Sequence, residues 1–396
     1  MPPTSAAHRN APAEGDSMKF WYFTETPYPF LPPESEYESV RVNLPNGLMD
    51  PDRAAGLWDR YLREWQLADE VGLNIMVNEH HQTTTCLDPA GPIITAALAR
   101  TTTRARLLLL GNPVANRPDP VRVAAEMALV DVLSKGRLEV GLVRGVPYEV
   151  LATNSKPVRM SERMWEAHDL ILKAWTTHDG PFNWEGEFFH HRNVNIWPRP
   201  YQQPRPPVWV STLNAGSAGG IAERGHVLAT FLNGNEVTRK IFDAYRRRAQ
   251  EVGTSSGPDR LAYSAIVYVG RTDEEGFAGA EKNLWYLRAN KVPFEHKNPP
   301  GYVPYFVRAG AMTQQRVNEV DKIRQMKLPD LIDQGMVLAG APDTVRAQIE
   351  RMHDAVGGFG NLLIMGQGGH LDHDETSRGI ELFASEVMPK LEGLGE

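Results

Sequence analysis

The feature that most constrains the fold is a regular alternation, from Lys19 onward, of short apolar or β-branched runs with longer segments of helical periodicity. Such alternation is typical of parallel strands joined by crossover helices. Eight strand-helix units fit a closed barrel better than an open sheet, so we predict an α/β fold, a (β/α)8 TIM barrel forming one domain over residues 18–396. The predicted strands are residues 19–24, 73–78, 106–111, 138–142, 208–211, 227–231, 262–269 and 361–365.

Helix starts are indicated by residues that cap a helix or occupy its first turn. A side-chain oxygen at such a position accepts a hydrogen bond from an otherwise unpaired backbone N–H, and proline is tolerated there because it lacks that N–H. We predict helices that begin at Asp52-Arg53, Asp119-Pro120, Ser161 and Pro342-Asp343.

Three segments exceed the minimal repeat and are interpreted as insertions: residues 25–51, 182–207 and 291–334. The second includes a short aromatic run, residues 184–189, that predicts a small hairpin. Loops at the carboxyl ends of barrel strands build the active site, so the first and third are candidates for a substrate lid. The third also carries the aromatic cluster Tyr302, Tyr305 and Phe306.

Charge and cysteine content exclude some classes of function. The net charge is −7 and no Lys/Arg run that would track a phosphate backbone is present, which disfavours nucleic-acid binding. Cys86 is the one cysteine, so neither an intrachain disulfide nor a cysteine-based metal site can form. Residues 1–17 are polar and lack an apolar core, which predicts a disordered leader rather than a secretory signal. With no run long enough to cross a bilayer, we expect a soluble, cytoplasmic protein.

Ionisable side chains follow the second predicted strand. Glu79, His80 and His81 stand where barrel enzymes place catalytic groups. Histidine moves protons near neutral pH, and a neighbouring carboxylate can orient it. The alternative is that these are hydrogen-bonded residues of a strand end without a catalytic role.

Two further strand ends suggest an anion site. Arg144, before Gly145, offers a bidentate phosphate donor, although it could equally bridge loop carbonyls or a carboxylate. After the fifth strand, residues 212–220 are small or hydroxylated and lead into a helix, which would present free backbone N–H groups or simply pack closely.

Two other segments are less specific. Gly111-Asn112-Pro113 follows the third strand, where glycine and proline permit unusual backbone geometry or form a plain connector. His370 and His373, with two aspartates, follow the last strand, but no further zinc-like ligand set appears. We expect a solvated or substrate-contacting loop there and no metal.

Together these motifs resemble bacterial luciferase and the luciferase-like flavin monooxygenases, from about Met18 to Leu391. The most specific stretch is residues 129–145, LVDVLSKGRLEVGLVRG. Supporting stretches, modest singly but matching in order and spacing, are Glu79-His80-His81, residues 207–210 (PVWV), 222–225 (AERG), 340–342 (GAP) and 383–391 (FASEVMPKL).

The resemblance implies roles for individual residues. His80 matches the histidine that transfers protons at the flavin, and Arg144 matches the arginine that holds the FMN phosphate. Ser217 and the amides of Asn214, Ala215 and Gly216 match the phosphate-binding turn. The Gly111-Asn112 peptide matches a non-prolyl cis bond that lies against the flavin ring. Two positions depart from luciferase, Val143 for a reactive cysteine and Leu213 for a glutamate, which puts light emission and aldehyde specificity in doubt.

The resemblance also implies an activity. Reduced FMN, delivered by a separate NAD(P)H-dependent flavin reductase, would react with O2 to give a flavin hydroperoxide that oxygenates a small organic substrate. The aromatic and proline-rich loops, by their composition, suggest that this substrate is apolar and covered by a lid. Two alternatives stay open: a deazaflavin-dependent oxidoreductase on the same barrel, and a non-catalytic flavin-binding subunit. A homo-oligomer is expected from the family alone.

Overall fold

A computed structural model describes residues 17–304, 319–391 and 393–394. The predicted leader, apart from its last residue, and the aromatics Tyr305 and Phe306 lie outside the described residues. Eight parallel strands close into a barrel in the order β1-β2-β3-β4-β7-β8-β9-β11, and β11 pairs with β1. This confirms the predicted (β/α)8 fold. The barrel strands are β1 Lys19–Thr24, β2 Asn74–Val77, β3 Leu107–Pro113, β4 Leu138–Val143, β7 Val208–Ser211, β8 Val227–Phe231, β9 Leu261–Val269 and β11 Asn361–Gln367.

Alternation along β1 shows how the strands divide the core. Trp21 and Phe23 belong to the cluster inside the barrel, whereas Phe20 and Tyr22 belong to the layer between barrel and helices. Successive side chains of a strand point to opposite faces, so each strand contributes to both cores. Trp21 packs edge-to-face on Trp209 of β7, with ring centroids 5.4 Å apart. These indoles fill the barrel interior and leave its carboxyl end to form the site.

Most of the predicted helix starts are confirmed within two residues. Asp119 caps its helix by accepting a hydrogen bond from the Arg122 amide, and Asp50 caps the first helix. The prediction that Ser161 caps a helix is wrong, because the helix already begins at Met160 and follows Arg159 at φ 54°. The helices are α1 Pro51–Glu70, α2 Gly91–Thr101, α3 Pro120–Ser134, α4 Met160–Thr176, α5 Ala218–Glu223, α6 Gly234–Val252, α7 Asp273–Asn283, α8 Trp285–Ala289, α9 Phe294–Lys297, α10 Glu319–Gln325, α11 Leu328–Asp333, α12 Pro342–Val356 and α13 His373–Leu382.

Three strands lie outside the barrel wall. The predicted hairpin is confirmed as β5 Phe182–Glu185 paired antiparallel with β6 His190–Val194. Strand β10, Val337–Gly340, was missed by the sequence analysis and pairs with the carboxyl half of β9. A four-residue apolar run between glycines carries no strand periodicity, so pairing with β9 is what makes it a strand.

Within the described residues, the helices are too short or too polar to span a lipid bilayer.

Candidate functional site

A cavity of about 470 Å³ opens at the carboxyl ends of the barrel strands. This lies within the range of about 300–1,000 Å³ that small-molecule sites occupy. Inward-facing apolar side chains line its lower part, because the barrel core ends there. The polar lining comes from residues that follow the strands. It includes Glu25 after β1, Asn78, Glu79 and His80 after β2, Arg144 and Glu149 after β4, and Asn214 and Ser217 after β7.

The centre of the site is a carboxylate shared by two imidazoles. Glu149 Oε1 lies 3.0 Å from His80 Nδ1, and Glu149 Oε2 lies 3.1 Å from His81 Nδ1. Strands β2 and β4 flank β3, so barrel closure brings their carboxyl ends together. Each imidazole is therefore held by a different oxygen of one side chain.

The electrostatics of this cluster fix the position of the protons. Burial alone would raise the pKa of Glu149, but the charge of His80, hydrogen bonds from both imidazoles and Arg41 lower that pKa to about 2. The hydrogen bond with Glu149 raises the pKa of His81, although burial lowers it. An ionised carboxylate only accepts hydrogen bonds, so His80 Nδ1 and His81 Nδ1 carry protons. His80 lines the cavity and keeps Nε2 for a ligand.

The predicted partner of His80 was Glu79, and the structure assigns Glu79 a different partner. Arg117 Nη2 donates to both Glu79 oxygens at 2.7 Å, and the Gly91 amide at the start of α2 donates to Oε2 at 3.1 Å. Burial raises the pKa of Glu79 against the lowering effect of Arg117 and His81. Glu79 thus anchors the strand end to α2 and Arg117, whereas Glu149 orients His80.

Arg41, from the first insertion, contributes a buried positive charge beside this cluster. Its guanidinium lies 3.5 Å from Glu149 Oε1, donates to Asn290 Oδ1 at 2.6 Å and lies 5.3 Å from the centre of the Tyr148 ring. Through Arg41 the first insertion thus contacts Glu149, whose negative charge interacts with this guanidinium as well as with the two imidazoles.

Arg144 and the turn after β7 lie side by side, because β4 pairs with β7. Within the described part of the chain Arg144 forms no ion pair; its Nη2 donates to Tyr302 Oη at 2.8 Å. Asn214 Oδ1 accepts from the Ser217 amide at 3.2 Å and so shapes the short turn before α5. One end of the cavity is thus bordered by a guanidinium that has no carboxylate partner among the described residues and by a turn rich in hydrogen-bond donors.

The structure places two predicted cofactor-binding groups differently relative to the cavity, and it corrects the position of the cis peptide bond. The Asn112 side chain is fully buried and donates to Gly141 O at 3.2 Å, outside the cavity lining. Ala215 is also outside that lining, whereas Asn214, Gly216 and Ser217 belong to it. The non-prolyl cis bond joins Leu110 to Gly111, one residue before the predicted position. Gly111 does line the cavity, and a Cβ there would lie 2.8 Å from Gly141 O, so close packing of β3 on β4 also requires glycine.

The sequence analysis did not identify Glu149, Arg41, Glu25 or Tyr286. A signal for two of them existed, because Glu25 directly follows β1 and Glu149 stands in the loop after β4. Acidic residues at carboxyl ends of barrel strands are candidates for function. Arg41 and Tyr286 carry no such signal, since they come from an insertion and from α8, and only tertiary contacts bring them to the site.

The loop after β11 has structural roles in the described residues. Asp372 and Glu375 form a reciprocal capping box at the start of α13. His373 Nδ1 lies 3.3 Å from Glu64 Oε1, and the His370 ring packs against Trp285. No group of metal-ligating side chains occurs among the described residues.

The family follows from the length of the match. The sequence model described as "Luciferase-like monooxygenase" matches residues 42–357, which is most of the chain. The chain belongs to the luciferase-like monooxygenase family.

Individual relatives extend this similarity. The oxygenase component of the flavin-dependent trigonelline monooxygenase of Acinetobacter baylyi is 28% identical over 237 residues, covering 58% of this chain and 64% of that relative. The F420-dependent glucose-6-phosphate dehydrogenase of Amycolatopsis mediterranei is 25% identical over 341 residues, 83% of this chain and 93% of that relative. The chain spans just under two thirds, 64% and 65%, of the length of two of the relatives it matches.

A solved structure shares the fold. The oxygenating constituent of 3,6-diketocamphane monooxygenase from Pseudomonas putida, in complex with FMN, superposes with a TM-score of 0.70 at 20% identity. The match covers 95% of this chain and 99% of that one. At 20% sequence identity, this similarity shows that the two proteins share a fold.

Proposed function

We propose that the chain is the oxygenase component of a two-component monooxygenase, which uses reduced FMN and O2 to oxygenate a small organic substrate through a flavin hydroperoxide. The observation that carries the proposal is the composition of one cavity. It holds an arginine that forms no ion pair in the described residues and, two strands away, an imidazole oriented by an ionised carboxylate. The first group suits a phosphate and the second suits proton transfer.

The polar groups at one end of the cavity fit the phosphate of FMN. Arg144 provides a planar guanidinium that is always charged, and the neighbouring turn provides the Ser217 hydroxyl and backbone amides. Leu110, Gly111 and Val143 line the adjoining wall and offer an apolar surface to an aromatic ring. Together these residues would hold the phosphate and seat the ring system.

His80 would manage the proton in the reaction. Its Nδ1 proton is committed to Glu149, so Nε2 can accept a proton from a group in the cavity and return it. The bound cofactor supplies two electrons, one oxygen atom of O2 enters the substrate, and the other leaves as water. The protein's task is to orient the reactants and exclude bulk water from the cavity.

Partners and setting follow from the same proposal. One relative is by name an oxygenase component, which supports a separate NAD(P)H-dependent flavin reductase as the source of reduced FMN. Because such a reductase draws on the nicotinamide pool of the cell, we propose a cytoplasmic location. Exposed apolar side chains on adjacent helices, Ile93 of α2 and Leu129 and Val132 of α3, support a homo-oligomer formed through this face.

The experiment is a stopped-flow titration under anaerobic conditions. The protein is mixed with reduced FMN, and separately with a reduced deazaflavin, and O2 is then admitted while flavin absorbance is followed. We expect binding of reduced FMN and an oxygenated flavin that decays more slowly than free flavin does. His80→Gln should shorten that lifetime or uncouple turnover; an unchanged lifetime and coupling would contradict the role of His80. Turnover by the purified chain with reduced FMN would exclude a non-catalytic subunit.

A deazaflavin-dependent oxidoreductase is the second candidate. The imidazole–carboxylate pair would serve this reaction as well, since His80 Nε2 could take the hydroxyl proton of an alcohol as a hydride passes from its carbon to the deazaflavin. A relative of this chain is an F420-dependent dehydrogenase. Tight binding of the deazaflavin, without any oxygenated flavin from FMN, would favour this reading over the monooxygenase.

A further inference from the structure

A buried carboxylate on the cavity wall has no part in the arrangement described so far. Glu25 follows β1 directly, is 4% exposed and lines the cavity. Asn78 Nδ2 donates to its Oε2 at 2.7 Å, and a hydrogen bond with Tyr286 supports it further. Asn78 and Tyr286 are neutral, so these hydrogen bonds orient the Glu25 carboxylate but provide no positive charge to balance it.

The position of Glu25 separates it from the proposed phosphate end. Arg144 and Ser217 follow β4 and β7, whereas Glu25 follows β1, which lies between β11 and β2 on the other side of the closed barrel. A flavin anchored at β4 and β7 leaves this far part of the cavity for the substrate. Apolar and aromatic side chains, Phe23, Leu363 and Met365, also line this part of the cavity.

The other two carboxylates of the cavity lining are already paired with positively charged groups. Glu79 is bound by Arg117, and Glu149 by Arg41 and the two imidazoles. Among the described residues Glu25 has no cationic group within ion-pair distance. Burial raises the pKa of Glu25, and the charges of His80 and Arg41 lower it only in part. A cation bound beside Glu25 would offset the cost of burying its charge and so favour the ionised carboxylate.

We infer that Glu25 is the substrate-binding residue for a positively charged nitrogen, so that the substrate is a small organic cation with an apolar or aromatic body. This inference rests on the proposed function, in which the flavin occupies the β4–β7 end. The aromatic faces of Phe23 and Tyr286 suit such a ligand, because cations are attracted to aromatic rings as well as to carboxylates.

The test compares a cation with its neutral isostere. N-methylpyridinium and toluene have the same shape and differ in charge, and their binding to the FMN-loaded protein is measured by calorimetry. We expect the wild type to bind N-methylpyridinium at least tenfold more tightly than toluene, which corresponds to about 1.4 kcal/mol or more. Equal affinities in the wild type would overturn the inference, whatever any variant shows.

Variants assign the preference to Glu25. Glu25→Gln keeps the size and removes the charge, so it should weaken N-methylpyridinium binding at least tenfold and leave toluene binding within about twofold. Glu25→Asp keeps the charge and should retain a preference for the cation. Glu126→Gln, on the exposed side of α3, is the matched control and should behave as wild type. A cation preference that persists in a folded Glu25→Gln protein would also overturn the assignment.

The FMN affinity of each variant is measured first. Failure of the wild type to bind FMN would contradict the proposed function. Normal FMN binding with no cation preference would contradict only the role of Glu25, so the two failures are distinguishable.

Discussion

Arg144 Nη2 donates a hydrogen bond to Tyr302 Oη at 2.8 Å, and its guanidinium carbon lies 5.5 Å from the centre of the tyrosine ring. This contact joins the end of β4 to the third insertion, 158 residues further along the chain. The residue proposed to hold the cofactor phosphate thus also contacts the third insertion. Two predictions depend on this arrangement.

Arg144→Ala should weaken FMN binding by about 10- to 100-fold, because it removes a charge-assisted hydrogen bond of about 1.5–3 kcal/mol. Riboflavin lacks the phosphate, so its affinity should change by less than about threefold. Quenching of flavin fluorescence measures both affinities. Arg122→Ala, an exposed arginine on α3, is the control. Equal losses for FMN and riboflavin would show that Arg144 does not contact the phosphate.

Tyr302→Phe keeps the aromatic ring on Arg144 and removes only the hydroxyl. We expect a loss of about 0.5–1.5 kcal/mol, which is a two- to tenfold faster dissociation of FMN. Stopped-flow displacement of bound FMN gives the rate. An unchanged rate would mean that the third insertion does not help to retain the cofactor.

Glu149→Gln should lower coupled oxygenation at least tenfold, because an amide cannot hold both imidazoles with the proton on each Nδ1. FMN affinity should stay near the wild-type value, since Glu149 contacts the two imidazoles and Arg41 rather than Arg144 or Ser217. The measurement is product formed per O2 consumed. Glu162→Gln, an exposed glutamate of α4, is the control, and wild-type coupling in Glu149→Gln would remove Glu149 from the mechanism.

Asp88→Asn should change how stability depends on pH. Burial raises the pKa of Asp88 from 3.8 to about 7 in the folded protein, against a hydrogen bond from the Ala90 amide that lowers it. Folded Asp88 keeps its proton while the unfolded residue ionises, so its contribution to stability is present below pH 3.8 and is lost as pH rises through about 7. Asparagine cannot ionise, and relative to wild type the variant should gain up to about 4 kcal/mol between these pH values.

Urea unfolding at a series of pH values between 4 and 8 measures this difference. The exposed Asp59→Asn variant supplies the baseline. If the free energy of unfolding of Asp88→Asn depended on pH as that of the wild type does, the pKa of Asp88 would not be raised in the folded protein.

Leu129→Glu should break the proposed oligomer. Leu129 is 47% exposed on α3, and Ile93 is 68% exposed on α2. A charge on this apolar face would be desolvated in any interface formed through it, so the sedimentation coefficient should fall to that of a monomer. Leu151→Glu, at an apolar residue that is 68% exposed in a loop, is the control. A wild-type monomer, or an oligomer that survives Leu129→Glu, would contradict this interface.

Local sequence patterns predicted the barrel strands and most helix starts. Residues 19–24 and 208–211 form strands within the predicted bounds, and Asp119 caps its helix as predicted. These features depend on side-chain alternation and on hydrogen bonds within one turn, which neighbouring residues control. The prediction that Ser161 caps a helix was wrong, because the presence of a good capping residue does not prevent the helix from starting earlier in the sequence.

The sequence predicted which residues lie at the candidate site but not which of their side chains contact one another. His80 and Arg144 line the cavity as expected from their places at strand ends. Adjacency in sequence suggested Glu79 as the carboxylate for His80, yet successive residues at the end of a strand point in different directions. The carboxylate that reaches His80 is Glu149, 69 residues away.

The sequence by itself determined the alternation of strands and helices, the closure into a barrel and the end of the barrel at which functional groups collect. Only the tertiary structure decided which groups meet: Glu149 with both imidazoles, Arg117 with Glu79, Tyr302 with Arg144, and β10 with β9. The physical reason is that a periodic pattern specifies which face of an element is buried. The partners across the barrel mouth are set by strand order and by the paths of the insertions, which no local pattern encodes.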